Sequence, residues 1–222
     1  ITEIFSAQWA FAGLREDGSI VTWGHDSSGG NSDPVASQID ADDSPVVTEI
    51  FSTERAFAAL LEDGSVVTWG DSRDGGDSSA VADEIDADGS PELTDIFSTK
   101  QAFSALREDG SVVTWGSDYV GGDSSVVSYR NGRYDFSSVT NQIDADGSPE
   151  VEEIFSTLQS FAALRENGSV VTWGDDSFGG NSDAVANHID ADNSPVVTEI
   201  FSTRFAFAAL REDGSVVTWG DY

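Results

Sequence analysis

Residues 50–95 read IFSTERAFAALLEDGSVVTWGDSRDGGDSSAVADEIDADGSPELTD, and close variants of this phrase fill the chain. Ile-Phe-Ser begins at Ile4, Ile50, Ile96, Ile154 and Ile200; Trp-Gly recurs at Trp23, Trp69, Trp115, Trp173 and Trp219. Successive steps are 46, 46, 58 and 46 residues, so the third unit carries an insertion of twelve (58 − 46). A fixed period of this length marks a repeat architecture, in which each unit buries its apolar surface against its neighbours.

Three strands are expected per unit, here residues 47–52, 56–61 and 65–69, with Asp63-Gly64 as a two-residue turn. Apolar residues fall on both faces of the second and third strands (Phe57, Ala58, Ala59, Leu60; Val66, Val67, Trp69). A sheet with one wet face would alternate instead. Both faces must be covered, and the simplest cover is the next repeat. After Trp-Gly and a Gly-Gly loop, residues 78–85 read as one or two helical turns, and Pro34 follows Asp33 at the first-turn position that proline favours. The expected fold is all-β: a five-bladed β-propeller with about three antiparallel strands per blade and short helical or loop connections. One domain spans 1–222, with blades near 1–45, 46–91, 92–149, 150–195 and 196–222, unit five packing on unit one to close the ring.

The motif IFSTERAFAALLEDGSVVTWGDSRDGG resembles the regulator-of-chromosome-condensation repeat, whose unit has an Ala-Leu, an Asp-Gly turn, a Trp-Gly and a following glycine loop. The resemblance covers nearly the whole chain and implies a propeller. The related secreted β-lactamase inhibitor propeller has three strands per blade, as read here from the residues. Two positions depart from the pattern: Ala56 stands where the family often has His, and Gly75-Gly76-Asp77-Ser78 replaces its Gly-Gln-Leu-Gly. Members of the family serve nucleotide exchange, enzyme inhibition or scaffolding, so the kinship implies a fold without choosing a function.

Charge narrows the choice. The 222 residues carry 41 acidic and 10 basic side chains, a net charge of −31. Such a surface repels phosphate, so nucleic acid is not an expected partner and anionic membrane is a poor one. No apolar run approaches the ~20 residues of a spanning helix, so membrane insertion is not expected. With no Cys there is no disulfide framework, thiolate nucleophile or Cys-ligated zinc. Met is absent too, which leads to the expectation of a segment cut from a longer precursor. For catalysis, His25 and His188 lie in non-equivalent parts of their units, near no obvious nucleophile, and no phosphate loop or dinucleotide fingerprint appears. An enzyme is not expected. Asn167-Gly168-Ser169 fits a glycosylation sequon but stands where the other units have Asp-Gly-Ser, and is read as a turn.

Four acidic linkers, each followed by Ser-Pro, supply candidate calcium ligands: Asp40 and Asp42, Asp86 and Asp88, Asp144 and Asp146, Asp190 and Asp192. A full site needs about six oxygens, and the bidentate Glu of a calcium loop has no fixed equivalent here. The competing reading is a solvated turn, whose Asp side chains accept from nearby backbone N–H groups. Calcium is the one cofactor this pattern brings into view.

Comparing the copies separates scaffold from variation. The turn between strands one and two varies (Gln8-Trp9, Glu54-Arg55, Lys100-Gln101, Leu158-Gln159, Arg204-Phe205), as does the loop after Trp-Gly, which carries Arg73, Tyr119 and Phe178. In an up-down-up sheet both segments lie at one end and the Asp-Gly turn at the other. One face should therefore gather Trp9, Arg55, Arg73, Lys100, Tyr119, Phe178, Arg204 and Phe205. Aromatics and Arg anchor interfaces. The insertion adds Tyr129, Arg130, Arg133 and Tyr134 around Asn131-Gly132, a hairpin signal. The expected function is non-catalytic recognition of protein or glycan, as part of a larger secreted or cell-surface protein. The alternative is a structural spacer or assembly unit of an extracellular filament or coat. The oligomeric state does not follow from the sequence.

Burial between blades has to overcome strong repulsion among like charges, which salt screens. The thermal midpoint is therefore expected to rise as NaCl or CaCl2 is added, and a midpoint flat across both titrations would contradict this.

Overall fold

The computed structural model describes residues 1–40, 45–86, 91–124, 128–130, 133–135, 140–143, 148–190 and 195–221. Five antiparallel three-stranded sheets follow one another along the chain, each pairing its strands in sequence order. The first contains Glu3–Ser6, Ala10–Leu14 and Ile20–Gly24; the second Val47–Ser52, Ala56–Leu61 and Val66–Gly70. The third contains Leu93–Ser98, Ala102–Arg107 and Val112–Gly116; the fourth Val151–Ser156, Ser160–Arg165 and Val170–Gly174. The fifth contains Val197–Ser202, Ala206–Arg211 and Val216–Gly220. First strands of successive sheets lie against one another, which makes them the inner strands of propeller blades.

The packing accounts for apolar residues on both faces. In blade two, Ile50, Phe57, Ala59, Leu61 and Trp69 pack on Ala10, Ala12 and Leu14 of blade one. The other face of the same sheet, with Ala56, Ala58, Leu60 and Val66, packs on Ile96, Phe103, Ala105 and Trp115 of blade three. Each blade is thus the filling between two neighbours, and each gap receives a buried isoleucine (Ile39, Ile85, Ile143, Ile189) from the short helix that crosses it. Those helices (Ala36–Ile39, Ala82–Ile85, Thr140–Ile143, Ala186–Ile189) confirm the expected helical turns. Pro34 stands in the first turn of the 3-10 segment that opens one of them.

A glycine closes each gap. Phe57 stacks on Trp69 across the sheet with ring centroids 5.3 Å apart, and the Trp69 indole N–H donates to the carbonyl of Gly29, in the loop of the preceding blade. Trp115 reaches Gly75, and Trp219 reaches Gly179, in the same way. Gly75 has φ +96°, and a Cβ there would stand 2.6 Å from the Phe103 ring. The loop needs glycine for its backbone angle and for the closeness of the ring beneath it.

Two expectations change. The turn between strands two and three has three residues rather than two. Leu61 N–H donates to the Ser65 carbonyl and Gly64 N–H to the Leu61 carbonyl, with Gly64 at φ +79°, so Glu62-Asp63-Gly64 forms a turn ending in a glycine bulge. Asp63 Oδ1 accepts from both the N–H and the hydroxyl of Ser65, which explains the constancy of Asp-Gly-Ser. Asn167 does the same for Ser169, supporting the turn reading of that site.

The second change concerns closure. Ile4, Phe11 and Trp23 are 59%, 42% and 40% exposed, where the equivalent Ile50, Phe57 and Trp69 are at most 3% exposed. Phe201 and Val216, on the far side of blade five, are 53% and 60% exposed. Four seams fix the angles between five sheets, and after the fourth the end faces have not met. Among the described residues, these side chains of blades one and five are not covered by one another.

Gly75→Ala should lower stability by about 2–5 kcal/mol, combining left-handed strain with overpacking against Phe103. Gly214→Ala, at φ +80° with no atom within 4 Å of where its methyl would stand, should cost only about 1–2 kcal/mol. Denaturant melts of the two variants compare them directly, and equal losses would contradict the seam described here.

Candidate recognition face

Hydrogen bonds bring the two variable segments together. The N–H after each Trp-Gly donates to the carbonyl of the same blade's first turn: His25 to Trp9, Asp71 to Arg55, Ser117 to Gln101, Asp175 to Gln159 and Asp221 to Phe205, at 2.8–3.2 Å. A threonine in the first turn ties the loop down. Thr53 donates to the Asp74 carbonyl at 2.8 Å, Thr99 to Val120 and Thr157 to Phe178. First turns of neighbouring blades are then chained through their backbones: Gln8 N–H to Glu54, Glu54 to Lys100, Lys100 to Leu158 and Leu158 to Arg204. The chain of turns borders an open depression of about 400 Å³ lined by Gln8, Glu54, Lys100 and Leu158 among others.

Around this frame Trp9, Tyr119 and Phe205 are 62%, 52% and 45% exposed, with Arg55, Arg73 and Arg204 beside them and Lys100 half-buried. Arg204 places its guanidinium 5.4 Å from the centre of the Phe205 ring. Arg73 holds Asp71 through a pair of bonds of 3.2 and 3.0 Å, and Arg55 stands 3.8 Å from the same carboxylate. The Arg73 hydrogen bond keeps the Asp71 carboxyl below the usual range. Exposed pairs of this kind contribute about 0–1 kcal/mol, so they orient side chains more than they stabilise the fold.

Some variation points sideways rather than outward. Phe178, half-buried in the loop of blade four, lies against Phe205 in the first turn of blade five, with centroids 5.3 Å apart. At the equivalent place between blades two and three, Gln101 Nε2 of blade three donates to Asp74 Oδ1 of blade two at 3.1 Å. Asp74 is 2% exposed, and its Oδ2 has no hydrogen-bond partner among the described residues. Burial, reinforced by the Asp71 charge, pushes its carboxyl up from the usual range.

The insertion forms a hairpin in which Ser128–Arg130 pairs with Arg133–Asp135, Tyr129 standing opposite Tyr134 and Arg130 opposite Arg133. Strand Ser128–Arg130 runs beside Val170–Gly174 and the turn Asp176–Phe178 of blade four, which puts the insertion next to the variable face. Its side chains lie outside the described residues, as do Asp42, Asp88, Asp144, Asp146 and Asp192 of the acidic linkers. Asp40, Asp86 and Asp190 are exposed residues at the ends of short helices. Among the described residues no three His, Asp or Glu side chains are grouped to hold a metal ion.

The inner strands carry a feature that sequence reasoning missed. Glu3, Glu49, Asp95, Glu153 and Glu199 precede every Ile-Phe-Ser and place an exposed acid on each inner strand. Partial burial, reinforced by the charges of Asp95 and Glu3, pushes Glu49 up, and burial does the same to Asp95. The available signal is an acidic residue at one fixed place in all five units.

No protein-family model and no curated protein matches the sequence. Solved structures do share its fold. The chain is similar to the ectodomain of the Physcomitrella patens receptor kinase CR4 (15% identity, TM-score 0.54, covering 98% of this chain and 51% of that one). It is similar to the CRINKLY WD40 ectodomain of the Arabidopsis thaliana receptor kinase ACR4 (14%, 0.55, 98% and 67%). It is also similar to yeast RCC1 (Prp20) solved with Kap60 (17%, 0.52, 98% and 56%). The five sheets are blades of an RCC1-like propeller, and the chain spans about half to two-thirds of the length of these structures.

Asp74→Val places at this position the residue that blade three has there, Val120, itself 1% exposed. A carboxyl whose folded pKa is raised binds its proton more tightly in the fold than in the unfolded chain. Wild-type stability from this group is thus greatest at low pH and is lost as pH rises through the interval up to the folded pKa. The variant should be more stable by about 1–3 kcal/mol at pH 7, with Gln101 turning to water, and the advantage should shrink on acidification. Thermal melts across pH measure this; an advantage that grows on acidification would contradict it.

Proposed function

We propose that this chain is a non-catalytic protein-recognition module of a larger secreted or cell-surface protein. Its ligand sits on the face built from the first turns and the loops after Trp-Gly. The observation that carries the reading is where the few cations lie. Of the 10 basic side chains, Arg15, Arg107, Arg165 and Arg211 are tied to serines of the Asp-Gly-Ser or Asn-Gly-Ser turns at the opposite end. The other six are Arg55, Arg73, Lys100 and Arg204 on the variable face and Arg130 and Arg133 in the insertion beside it.

In a chain of net charge −31, the four described cations not tied to those serine turns, Arg55, Arg73, Lys100 and Arg204, therefore collect at one end among exposed Trp9, Tyr119 and Phe205, with Arg55 and Arg73 sharing Asp71. Drift at surface turns favours Ser, Asp, Asn and Gly. Rigid aromatics and Arg over a hydrogen-bonded frame are the composition of an interface core. Cations within an otherwise acidic surface suit a partner with carboxylates opposite Arg55, Arg73 and Arg204, while the acidic remainder turns other anionic surfaces away. Support for a binding role also comes from the similar structures, two of which are receptor ectodomains and one a propeller in complex with the protein Kap60.

The test immobilises the full chain and screens it against secreted and surface proteins and, in parallel, a glycan array. For the ligand found, Trp9→Ser, Arg73→Ser and Tyr119→Ser together should weaken binding at least about tenfold with the melting curve unchanged. Glu62→Ser with Glu108→Ser, in the opposite turns, should leave binding intact. Loss of binding in the second variant but not the first would overturn the proposal, and a ligand found only on the glycan array would move it from protein to carbohydrate.

A further inference from the structure

Asn167-Gly168-Ser169 is the one place in the chain where Asn stands two residues before Ser or Thr. The other four units carry Asp-Gly-Ser there, beginning at Asp17, Asp63, Asp109 and Asp213. The fold does not distinguish the two residues. Asn167 Oδ1 accepts from the Ser169 N–H at 3.0 Å and from its hydroxyl at 2.6 Å, as Asp63 Oδ1 does from Ser65. An Asp at this position would make the same turn, so the turn accounts for the side-chain oxygen and leaves the amide nitrogen without a task.

That nitrogen is free to take one. Both bonds that hold the side chain use Oδ1, and Nδ2 has no hydrogen-bond partner among the described residues. Asn167 is exposed, although Gly168 and Ser169 beside it are buried. Gly168 lies against Val196, in the segment leading into blade five, and its N–H donates to the Arg165 carbonyl at 2.8 Å. The Ser169 hydroxyl also accepts from Arg165 Nε at 2.8 Å. The tripeptide is thus fixed from beneath while its side-chain amide faces water. A group added to Nδ2 extends into solvent and leaves Oδ1 on Ser169.

We propose that Asn167 is an N-glycosylation acceptor, taking its oligosaccharide from a lipid-linked phosphate donor through an oligosaccharyltransferase. Nδ2 bonds to the anomeric carbon of the sugar and gives up one proton to a base of the transferase. The bond from that carbon to the donor's phosphate oxygen breaks, and the lipid phosphate leaves with the electron pair. The acceptor sits on the turn between strands two and three, at the end opposite the first turns and the loops after Trp-Gly. Sugar and recognition face therefore do not compete for one surface. Modification here rests on the secreted or cell-surface part of the reading above, and on neither its ligand nor its face.

The full chain behind a cleavable signal peptide is translated in a cell-free system with microsomal membranes, and only protease-protected chains are scored. Wild type should show a single upward shift in apparent mass that endoglycosidase H removes, and Asn167→Asp and Ser169→Ala should show none. The same chain made in secreting eukaryotic cells supplies material for thermal melts. Its midpoint should match that of Asn167→Asp, which keeps the turn and lacks the sugar. Peptide N-glycosidase F leaves Asp at the modified position, and peptide mass spectrometry should find it at 167. No shift in protected wild-type chains, a shift that persists in Asn167→Asp, or a glycosylated chain that melts below Asn167→Asp would each overturn the proposal. An unmodified chain leaves the recognition face standing, because the ligand screen involves no sugar on this protein, whereas a modified chain that binds no partner overturns the recognition reading alone.

Discussion

A glycine packed against a Phe–Trp stack holds each blade to the one before it. The contact combines a backbone that only glycine adopts comfortably, an aromatic pair covered on one side by its own sheet and on the other by a neighbour, and, at three of the four seams, an indole N–H that finds its acceptor across the gap; the Trp173 N–H between blades three and four is buried with no partner among the described residues. None of these is stable alone. A three-stranded sheet with both faces apolar has no independent existence in water, and the chain has no disulfide to staple it. Stability is therefore a property of seams rather than of blades, as expected for a repeat protein with nearest-neighbour coupling.

This dependence on seams explains what the sequence disclosed. Ala56–Leu61 is apolar at every position, and that pattern fits only a strand covered on both faces, so blade and neighbour could be inferred together. Period and strand content were legible because each unit states them afresh. The turn type was not, because Asp-Gly suits two-residue and bulged turns alike, and the choice is made by Ser65, whose N–H and hydroxyl both reach Asp63. Closure was not legible either. It depends on the angle between sheets, which side-chain volumes in the gap determine and no periodicity records.

The candidate face was half legible. Its location followed from strand direction, and the bonds from Asp71 to Arg55 and from Thr53 to Asp74 place both variable segments together as that argument required. What the residue types concealed is that variation is of two kinds. Trp9, Tyr119 and Arg73 project outward, whereas Phe178 with Phe205 and Asp74 with Gln101 meet across seams. Each such pair lies 27 residues apart (205 − 178; 101 − 74), with an inter-blade connection between its members. Only knowledge of which blades adjoin reveals that a change at one member is answered at the other. Phe178 and Phe205 thus belong to the frame as much as to the surface it presents.

Charge and packing oppose each other along the radius of a blade. At the inner strands Glu49 stands between Glu3 and Asp95, and the upward displacement of its carboxyl records that the folded chain disfavours this charge. Further out, Phe57 and Trp69 are at most 3% exposed and hold the same two blades together. An acid in the same place in five units is compatible with the fold only because attraction and repulsion act in different layers. The apolar layer carries no charge for salt to screen, whereas the inner carboxylates face solvent and can be screened. Screening of the inner carboxylates therefore relieves repulsion between blades and leaves in place the apolar seams that hold their register.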